Sequence, residues 1–145
     1  MIKEAAVSDL PILAALALQL WPEHTLDDLS AEFLQSMQDG SAHFFLLLDG
    51  DDAVGFAQCG LRRDYVEGTD SSPVGYLEGI FIKESHRRQG CARQLLAACE
   101  NWARRQGCME FASDCELTND LSRLFHLGAG FEEANRIICF TKKLT

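Results

Sequence analysis

A short basic turn at residues 87–92 has the composition of an anion-binding site. It follows an apolar segment, residues 75–82, and it opens a strongly periodic helical pattern. Glycine lets the backbone approach a ligand closely, and the first N–H groups of a helix have no intrahelical partner. The helix dipole and the local arginine charges therefore favour an anion such as a phosphate. The residues of this candidate site are Arg87, Arg88, Gln89, Gly90, Cys91, Ala92 and Arg93.

The spacing of this turn differs from two common phosphate-binding loops. A nucleoside triphosphate loop requires G-x-x-x-x-G-K-[ST] and a dinucleotide loop requires G-x-G-x-x-G, and the sequence contains neither. The turn resembles the R/Q-x-x-G-x-G/A element of the GCN5-related N-acetyltransferase (GNAT) superfamily, which holds the pyrophosphate of acetyl-coenzyme A. An ordinary helix start with solvated arginines is the alternative interpretation.

The resemblance implies an amine substrate that must lose a proton, and two carboxylates are candidates for accepting it. Glu78 lies within the apolar segment, and strand alternation predicts that it shares a face with Tyr76, Ile80 and Ile82. A carboxylate in such surroundings is either paired or functional. Asp114 ends the next predicted strand, and strand ends flank ligand clefts in α/β sheets. An ion pair for Glu78 and a cap or turn role for Asp114 remain open.

The elements that must position these residues form one α/β domain spanning residues 1–145. Strands and helices are predicted in the order βααβββαβαβ, as a mixed sheet flanked by about four helices. A polar loop, residues 62–74, precedes the central strand. The other main elements are two early helices ending at Gly40, a hairpin at 43–61, helices at 90–106 and 119–127, and one or two closing strands within 131–143.

The charge distribution favours an acidic surface around a locally basic site. The chain has 13 basic and 22 acidic residues, a net charge of −9, which argues against a nucleic-acid partner. Lys3 is the only basic residue before Arg62, whereas six of the bases lie between Lys83 and Arg105. One polyanionic and one polycationic ligand would suit this asymmetry.

Composition also bears on cofactors and location. No apolar run approaches the length of a membrane span, and the N-terminus lacks the apolar stretch of a signal peptide, so a cytoplasmic protein is expected. The six cysteines form no C-x-x-C pair, and they are expected to be reduced, without a disulfide framework or a metal site.

Motifs dispersed along the chain resemble one branch of the acetyltransferases, the short, chromosomal-type aminoglycoside 6′-N-acetyltransferases. The matching segments are Trp21-Pro22 with His24, residues 64–66, 70–73, 77–81 and 112–114, and Gly130-Phe131-Glu132-Glu133. The resemblance implies direct transfer of an acetyl group from acetyl-coenzyme A to the 6′-amine of an aminoglycoside in a ternary complex, which confers resistance. It also implies a homodimer, and a central strand that splays from its neighbour to admit the cofactor arm.

The resemblance implies roles for individual residues. Backbone N–H groups around Ile80, Phe81 and Ile82 would bind the thioester and pantetheine, and Asn119 would contact the cofactor arm, although an Asn there is equally a helix cap. Many family members have a tyrosine four residues before the Gly-Phe glycine, where His126 stands here. His126 could therefore protonate the departing thiolate, or it could be a core residue. The residues implied at the aminoglycoside site are Trp21, His24, Tyr65, Glu78 and Asp114.

Two further hypotheses stay open at this stage. The chain could acetylate another amine, such as a polyamine or a protein amine. It could also be a non-catalytic module that binds acetyl-coenzyme A and has kept the fold.

Overall fold

The structure, a computed structural model, describes residues 1–145. The chain forms one five-stranded sheet with helices on both faces. The strand order follows the chain, and the first three pairings are antiparallel, whereas β4 and β5 are parallel. The strands are β1 (Ile2–Glu4), β2 (Ala42–Asp49), β3 (Asp52–Arg62), β4 (Val74–Ile82) and β5 (Phe111–Ser113). The helices are α1 (Leu10–Leu20), α2 (Leu26–Asp39), α3 (Cys91–Arg105) and α4 (Asp120–Gly128). The predicted mixed α/β fold is confirmed.

Two apolar layers hold the helices on the sheet. On one face, α1 and α2 bury Leu13, Leu29 and Phe33 against Phe44 and Phe56 of the sheet. On the other face, α3 buries a second cluster. Because β2 and β3 contribute residues to both layers, these strands are nearly continuous apolar runs. The helices therefore fix the central strands from both sides.

The helix boundaries follow from local chemistry. The Thr25 hydroxyl accepts a hydrogen bond from the Asp28 N–H and begins α2, which ends at Gly40 in the left-handed conformation. At α4, the Asn119 side chain accepts from the Ser122 N–H, so this residue is a helix cap. None of the helices is long and apolar enough to cross a membrane.

The predicted closing strands do not form. Residues 131–145 contain no strand, and the sheet ends at β5. The segment is exposed from Glu132 to Thr145, so an extended conformation there would have no neighbouring strand to pair with. Its apolar side chains, including Ile138 and Phe140, are consequently exposed, at 81% and 87%.

All six cysteines are free thiols. Cys59, Cys99 and Cys108 are buried, as expected for small core residues. A hydrogen-bond contact with the Cys59 thiol, together with burial, raises the pKa of Cys99, so this thiol stays protonated at neutral pH. Three or more His, Cys, Asp or Glu side chains do not come together anywhere in the chain as a group that could hold a metal ion.

Candidate active site

A β-bulge in β4 sets the direction of the Glu78 side chain. Gln58 of β3 is opposite Gly79 and Cys59 is opposite Leu77, so Glu78 is the extra residue. The bulge reverses the alternation beyond it: Ile80 packs in the α3 layer together with Leu77, whereas Gly79 lies against α1. The prediction that Glu78 shares a face with Ile80 and Ile82 is therefore wrong, because simple alternation assumes a strand without an insertion.

An acidic cavity lies on the α1 and α2 side of this bulge. Its volume is about 270 Å³, and it is lined by Trp21, His24, Leu29, Glu32, Phe33, Gln58 and Glu78. The Trp21 ring lies directly on β4, since a Cβ at position 79 would come within 2.5 Å of it. Glycine at position 79 is thus required for this wall of the cavity. Two carboxylates beside an aromatic face favour a cationic ligand.

The two candidate carboxylates are joined by a polar network. Arg62, the last residue of β3, donates from Nη2 to Oε1 of Glu78 at 2.7 Å. Its guanidinium carbon lies 3.7 Å from the centroid of the Tyr76 ring. The Tyr76 hydroxyl in turn donates to Oδ2 of Asp114, directly after β5. The structure therefore brings Glu78 and Asp114 to the same side of the sheet.

Two members of this network, Tyr76 and Arg62, have raised pKa values. Burial and the hydrogen bond to Asp114 raise the pKa of the Tyr76 phenol, so it stays a proton donor at neutral pH. Burial opposes the charge of Arg62, but the hydrogen bond and the charge of Glu78 outweigh it and raise its pKa. Arg62 is consequently a permanent cation.

The sequence-predicted substrate residues separate into two groups. Trp21, His24 and Glu78 line the acidic cavity. Tyr65, by contrast, is 75% exposed, and its hydroxyl accepts from the Gly68 N–H within its own loop. The structure does not bring Tyr65 to the cavity, and its contact with a ligand remains a prediction.

His126 takes part in a second polar network beside β5. Its Nδ1 lies 2.7 Å from the Ser122 carbonyl oxygen, and its Nε2 lies 2.8 Å from Oγ of Ser113. That hydroxyl is 3.2 Å from the Leu77 carbonyl oxygen. The Ser122 carbonyl only accepts, so Nδ1 donates to it, and Nε2 is directed at the serine hydroxyl. These contacts hold the imidazole ring in one orientation beside β5.

Beyond Leu77, the edge of β4 that faces β5 is open, where the cofactor arm is expected from the sequence. β5 pairs with β4 only from Gly75 to Leu77, so residues 78–82 have no strand partner on that side. The pairing thus ends at Leu77, and a splay of the strands beyond it remains a prediction. The open edge leads to the basic turn, where a cavity of about 220 Å³ is bordered by Ile82, His86, Arg87, Arg88, Gly90, Cys91, Ala92, Arg93 and Phe125.

The basic turn itself combines backbone and side-chain donors. Arg88 and Gly90 both have positive φ, at 63° and 77°, and the first intrahelical bond of α3 runs from the Gln94 N–H to the Gly90 carbonyl. The N–H groups of residues 91–93 precede it and face the cavity end of the helix. Arg87 donates from Nε to the Ile82 carbonyl at 2.8 Å, and Arg93 donates to the Gly128 carbonyl. These two arginines therefore also hold the turn and α4 in place.

Five site residues were not identified from the sequence. Arg62, Tyr76 and Ser113 act through contacts between strands, and Glu32 and Gln58 reach the cavity from α2 and β3. Glu32 carried a usable signal, since it lies on the predicted second helix one residue before Phe33. The others depend on strand register, which the sequence does not encode locally.

A basic helix start and an acidic cavity that meet along one strand are typical of a transferase with one anionic and one cationic substrate. Residues 10–131 match the model of the acetyltransferase (GNAT) family, and the chain belongs to that family.

Relatives of this chain have a more specific activity in their names. This chain is 45% identical over 126 residues to the aminoglycoside N(6′)-acetyltransferase type 1 of Salmonella typhimurium, and the match covers 86% of each chain. It is 41% identical over 144 residues to the enzyme of that name from Stenotrophomonas maltophilia, covering 99% of this chain and 93% of that one.

Solved structures of proteins with the AAC(6′) designation have nearly the same fold as this chain. The complex of AAC(6′)-Iy with the bisubstrate analogue CoA-S-monomethyl-acetylneamine is similar with a TM-score of 0.94 and 39% identity, covering 99% of this chain and 97% of that one. AAC(6′)-Ih from Acinetobacter baumannii has a TM-score of 0.93 and 36% identity, covering 100% and 99%.

Proposed function

We propose that this chain is an aminoglycoside 6′-N-acetyltransferase that uses acetyl-coenzyme A as acetyl donor. The observation that carries this proposal is the meeting of two sites at the β4 bulge. The acidic cavity reaches Glu78 from one side, and the open edge of β4 leads from Glu78 to the basic turn. Acetylation would remove one positive charge from the antibiotic, which is the basis of resistance.

Direct transfer in a ternary complex fits the lining of the cavity. Neither cysteine nor serine lies among its residues, so the cavity holds no thiol or hydroxyl that could carry the acetyl group as an acetyl-enzyme intermediate. In the proposed step, the 6′-amine nitrogen attacks the thioester carbonyl carbon. The C–N bond forms, the C–S bond breaks, and coenzyme A leaves as the thiolate. The backbone N–H groups of Ile80 and Ile82, which alternation along β4 directs to the open edge, would stabilise the carbonyl oxygen.

Glu78 is the proposed acceptor of the amine proton. Its side chain is 33% exposed, borders the acidic cavity and is held through one oxygen by Arg62. The second oxygen is available for the amine, directly or through a water. Asp114, held by Tyr76, would bind another ammonium group of the substrate or serve as the base in place of Glu78. Trp21 and His24 would contact the sugar rings.

The basic turn is the proposed pyrophosphate site. Its N–H groups and the charges of Arg87, Arg88 and Arg93 complement a polyanion, and Gln89, Cys91 and Ala92 complete the loop. Asn119 uses its oxygen as a cap, which leaves its amide nitrogen for the cofactor arm. No metal enters the proposed reaction.

We expect thiol release from acetyl-coenzyme A when tobramycin or kanamycin is the acceptor. Parallel reactions contain spermidine or a lysine peptide, and tandem mass spectrometry locates the acetyl group. Modification of the 6′-amine supports the proposal. Turnover of only the other amines contradicts the aminoglycoside assignment but keeps the acetyltransferase, and coenzyme binding without any turnover favours a non-catalytic module.

His126 is proposed to protonate the departing thiolate. Its ring is oriented by the Ser122 carbonyl and by Ser113. After the C–S bond breaks, the Ser113 hydroxyl would give its proton to the thiolate sulfur and take one from Nε2 of His126. The Phe125 and Phe131 rings, 5.5 and 5.0 Å away, restrict its motion.

Replacing His126 by phenylalanine should lower kcat by about 10-fold or more, below the usual range for general acid catalysis because a thiolate is a good leaving group. The dependence of kcat on pH should change with it. His126→Tyr is the matched control, since it restores a donor of the kind seen in the family. An unchanged kcat and pH profile in His126→Phe would exclude the role.

The exposed C-terminal segment, residues 132–145, is a candidate surface for a homodimer. Ile137, Ile138, Phe140 and Leu144 are 66% to 91% exposed, and β5 is the edge of the sheet. Leu121 and Leu124 of α4 are also exposed nearby in the chain. Since isolated apolar surface of this extent is unfavourable in water, we propose that a second copy covers it.

The six free thiols favour a reducing compartment, so we propose that the protein is located in the cytoplasm.

Sedimentation velocity should show a dimer for the wild-type chain, and Phe140→Asp combined with Ile138→Asp should shift it to a monomer. The double variant Asp51→Asn, Asp52→Asn alters two exposed carboxylates at the hairpin end of β2 and β3 and should leave the dimer intact. A wild-type chain that is monomeric at working concentration would contradict the proposal.

A further inference from the structure

Arg62 contacts both halves of the acidic site. Its guanidinium donates to Oε1 of Glu78 at 2.7 Å and lies 3.7 Å from the centre of the Tyr76 ring, whose hydroxyl donates to Asp114. One arginine thus binds Glu78 directly and reaches Asp114 through Tyr76. Neither the sequence motifs nor the roles proposed above assign a function to this residue.

The charges around Arg62 show why a cation matters at this position. The groups that face it are Glu78 and Tyr76 from β4 and Asp114 after β5, and the cavity beyond Glu78 adds Glu32 and His24. No lysine or arginine lines the cavity itself. Arg62 is therefore the fixed positive charge next to the carboxylate that would bind the acceptor amine.

A fixed cation discriminates between the two forms of an amine. A protonated amine that binds Glu78 would lie next to the guanidinium and would be repelled by it, whereas a neutral amine would not. Only the neutral amine has the lone pair needed to attack the thioester. A cation near the reacting nitrogen therefore weakens substrate binding but favours the reactive form.

We propose that Arg62 is a positioning residue that fixes one oxygen of Glu78 and favours the neutral form of the acceptor amine at the reaction site. This inference rests on the function proposed above. The hydrogen bond to Oε1 leaves Oε2 to receive the proton that the amine loses. Other ammonium groups of the substrate would bind carboxylates that do not contact the guanidinium, such as Glu32 of the acidic cavity.

The test is Arg62→Gln, which keeps a hydrogen-bond donor for Glu78 but removes the charge. The acid limb of the pH profile of kcat should move up by about one pH unit, because the bound amine now deprotonates less readily. The Michaelis constant for tobramycin should fall, since the site has gained a net negative charge. A residue that only maintains the fold would give the opposite change in the Michaelis constant and leave the pH limb in place.

Two control variants separate charge from structure. Arg62→Lys keeps the cation and should keep the wild-type pH limb. Arg63→Gln changes the neighbouring exposed arginine, whose side chain makes no hydrogen bond or ion pair, and should have no effect on either parameter. Thermal unfolding of each variant, with and without coenzyme A, shows whether the fold is retained.

Proton release on binding provides a readout that does not need turnover. Tobramycin is titrated calorimetrically into the coenzyme A complex in buffers of different ionisation enthalpy. The wild-type protein should release more protons than Arg62→Gln. Equal proton release together with an unshifted pH limb would overturn the inference for Arg62, whereas a wild-type protein that neither binds nor acetylates tobramycin would overturn the proposed function instead.

Discussion

Glu78→Gln should reduce kcat/KM for the aminoglycoside by about 100-fold to 10,000-fold, the range typical of a lost general base. Glutamine has the shape of glutamate, and its amide oxygen can still accept the hydrogen bond from Arg62. The fold and the binding of coenzyme A should therefore stay unchanged. Steady-state rates of thiol release and a calorimetric titration with coenzyme A measure the two effects separately.

The control for Glu78 is another carboxylate outside the site. Asp51 lies in the exposed turn between β2 and β3, and Asp51→Asn should have wild-type kinetics. Glu78→Asp keeps the charge at a shorter reach and should show an intermediate rate. A kcat of Glu78→Gln within a few-fold of the wild type would contradict the assignment, and Asp114 would then be the proposed base.

Gly90→Val should weaken acetyl-coenzyme A binding by about tenfold or more. Gly90 has φ of 77°, where a side chain with a branched Cβ costs on the order of 1–3 kcal/mol. The protein itself leaves space, because nothing lies within 4 Å of a Cβ built there. The strain is therefore expected to rotate the N–H groups at the start of α3 away from the pyrophosphate, and a loss of 1.4 kcal/mol is about tenfold in affinity.

Two variants distinguish this effect from general strain. Gly90→Asn should retain more affinity, since asparagine tolerates the left-handed conformation. Gly107 at the other end of α3 has φ of 91° and open space, so Gly107→Val is strained in the same way but lies away from the basic turn. It should lower the melting temperature without changing the dissociation constant for coenzyme A. Equal affinity in Gly90→Val and the wild type would contradict the proposed pyrophosphate site.

Features encoded by neighbouring residues could be predicted from the sequence. The basic turn, the capped start of α2, the amphipathic stripe of α3 and the buried run of β2 each depend on contacts within a few positions. The prediction of a mixed α/β fold followed from the order of these elements. The match to the acetyltransferase family spans residues 10–131, which contain every strand and α-helix of the structure except β1.

Predictions that required the pairing of distant residues were less successful. The prediction that Glu78 and Ile80 share a face of β4 was wrong, because the bulge at Glu78 appears only when β3 is aligned with β4. The closing strands were wrong because residues 131–143 have strand-like composition but no strand beside them. Tyr65 was predicted at the substrate site from a motif, and in the structure its loop folds on itself and leaves the ring in solvent, so its contact with a ligand stays a prediction.

The sequence by itself determined the elements, the anion-binding turn, the candidate carboxylates and the acidic balance of the chain, since all of these depend on residue type and short spacing. Only the tertiary structure decided which charges meet. Arg62 and Glu78 are 16 positions apart, and Tyr76 and Asp114 are 38 apart, and both contacts arise from the register of strands. That register is set by the bulge and by packing on both faces of the sheet, which no local pattern specifies.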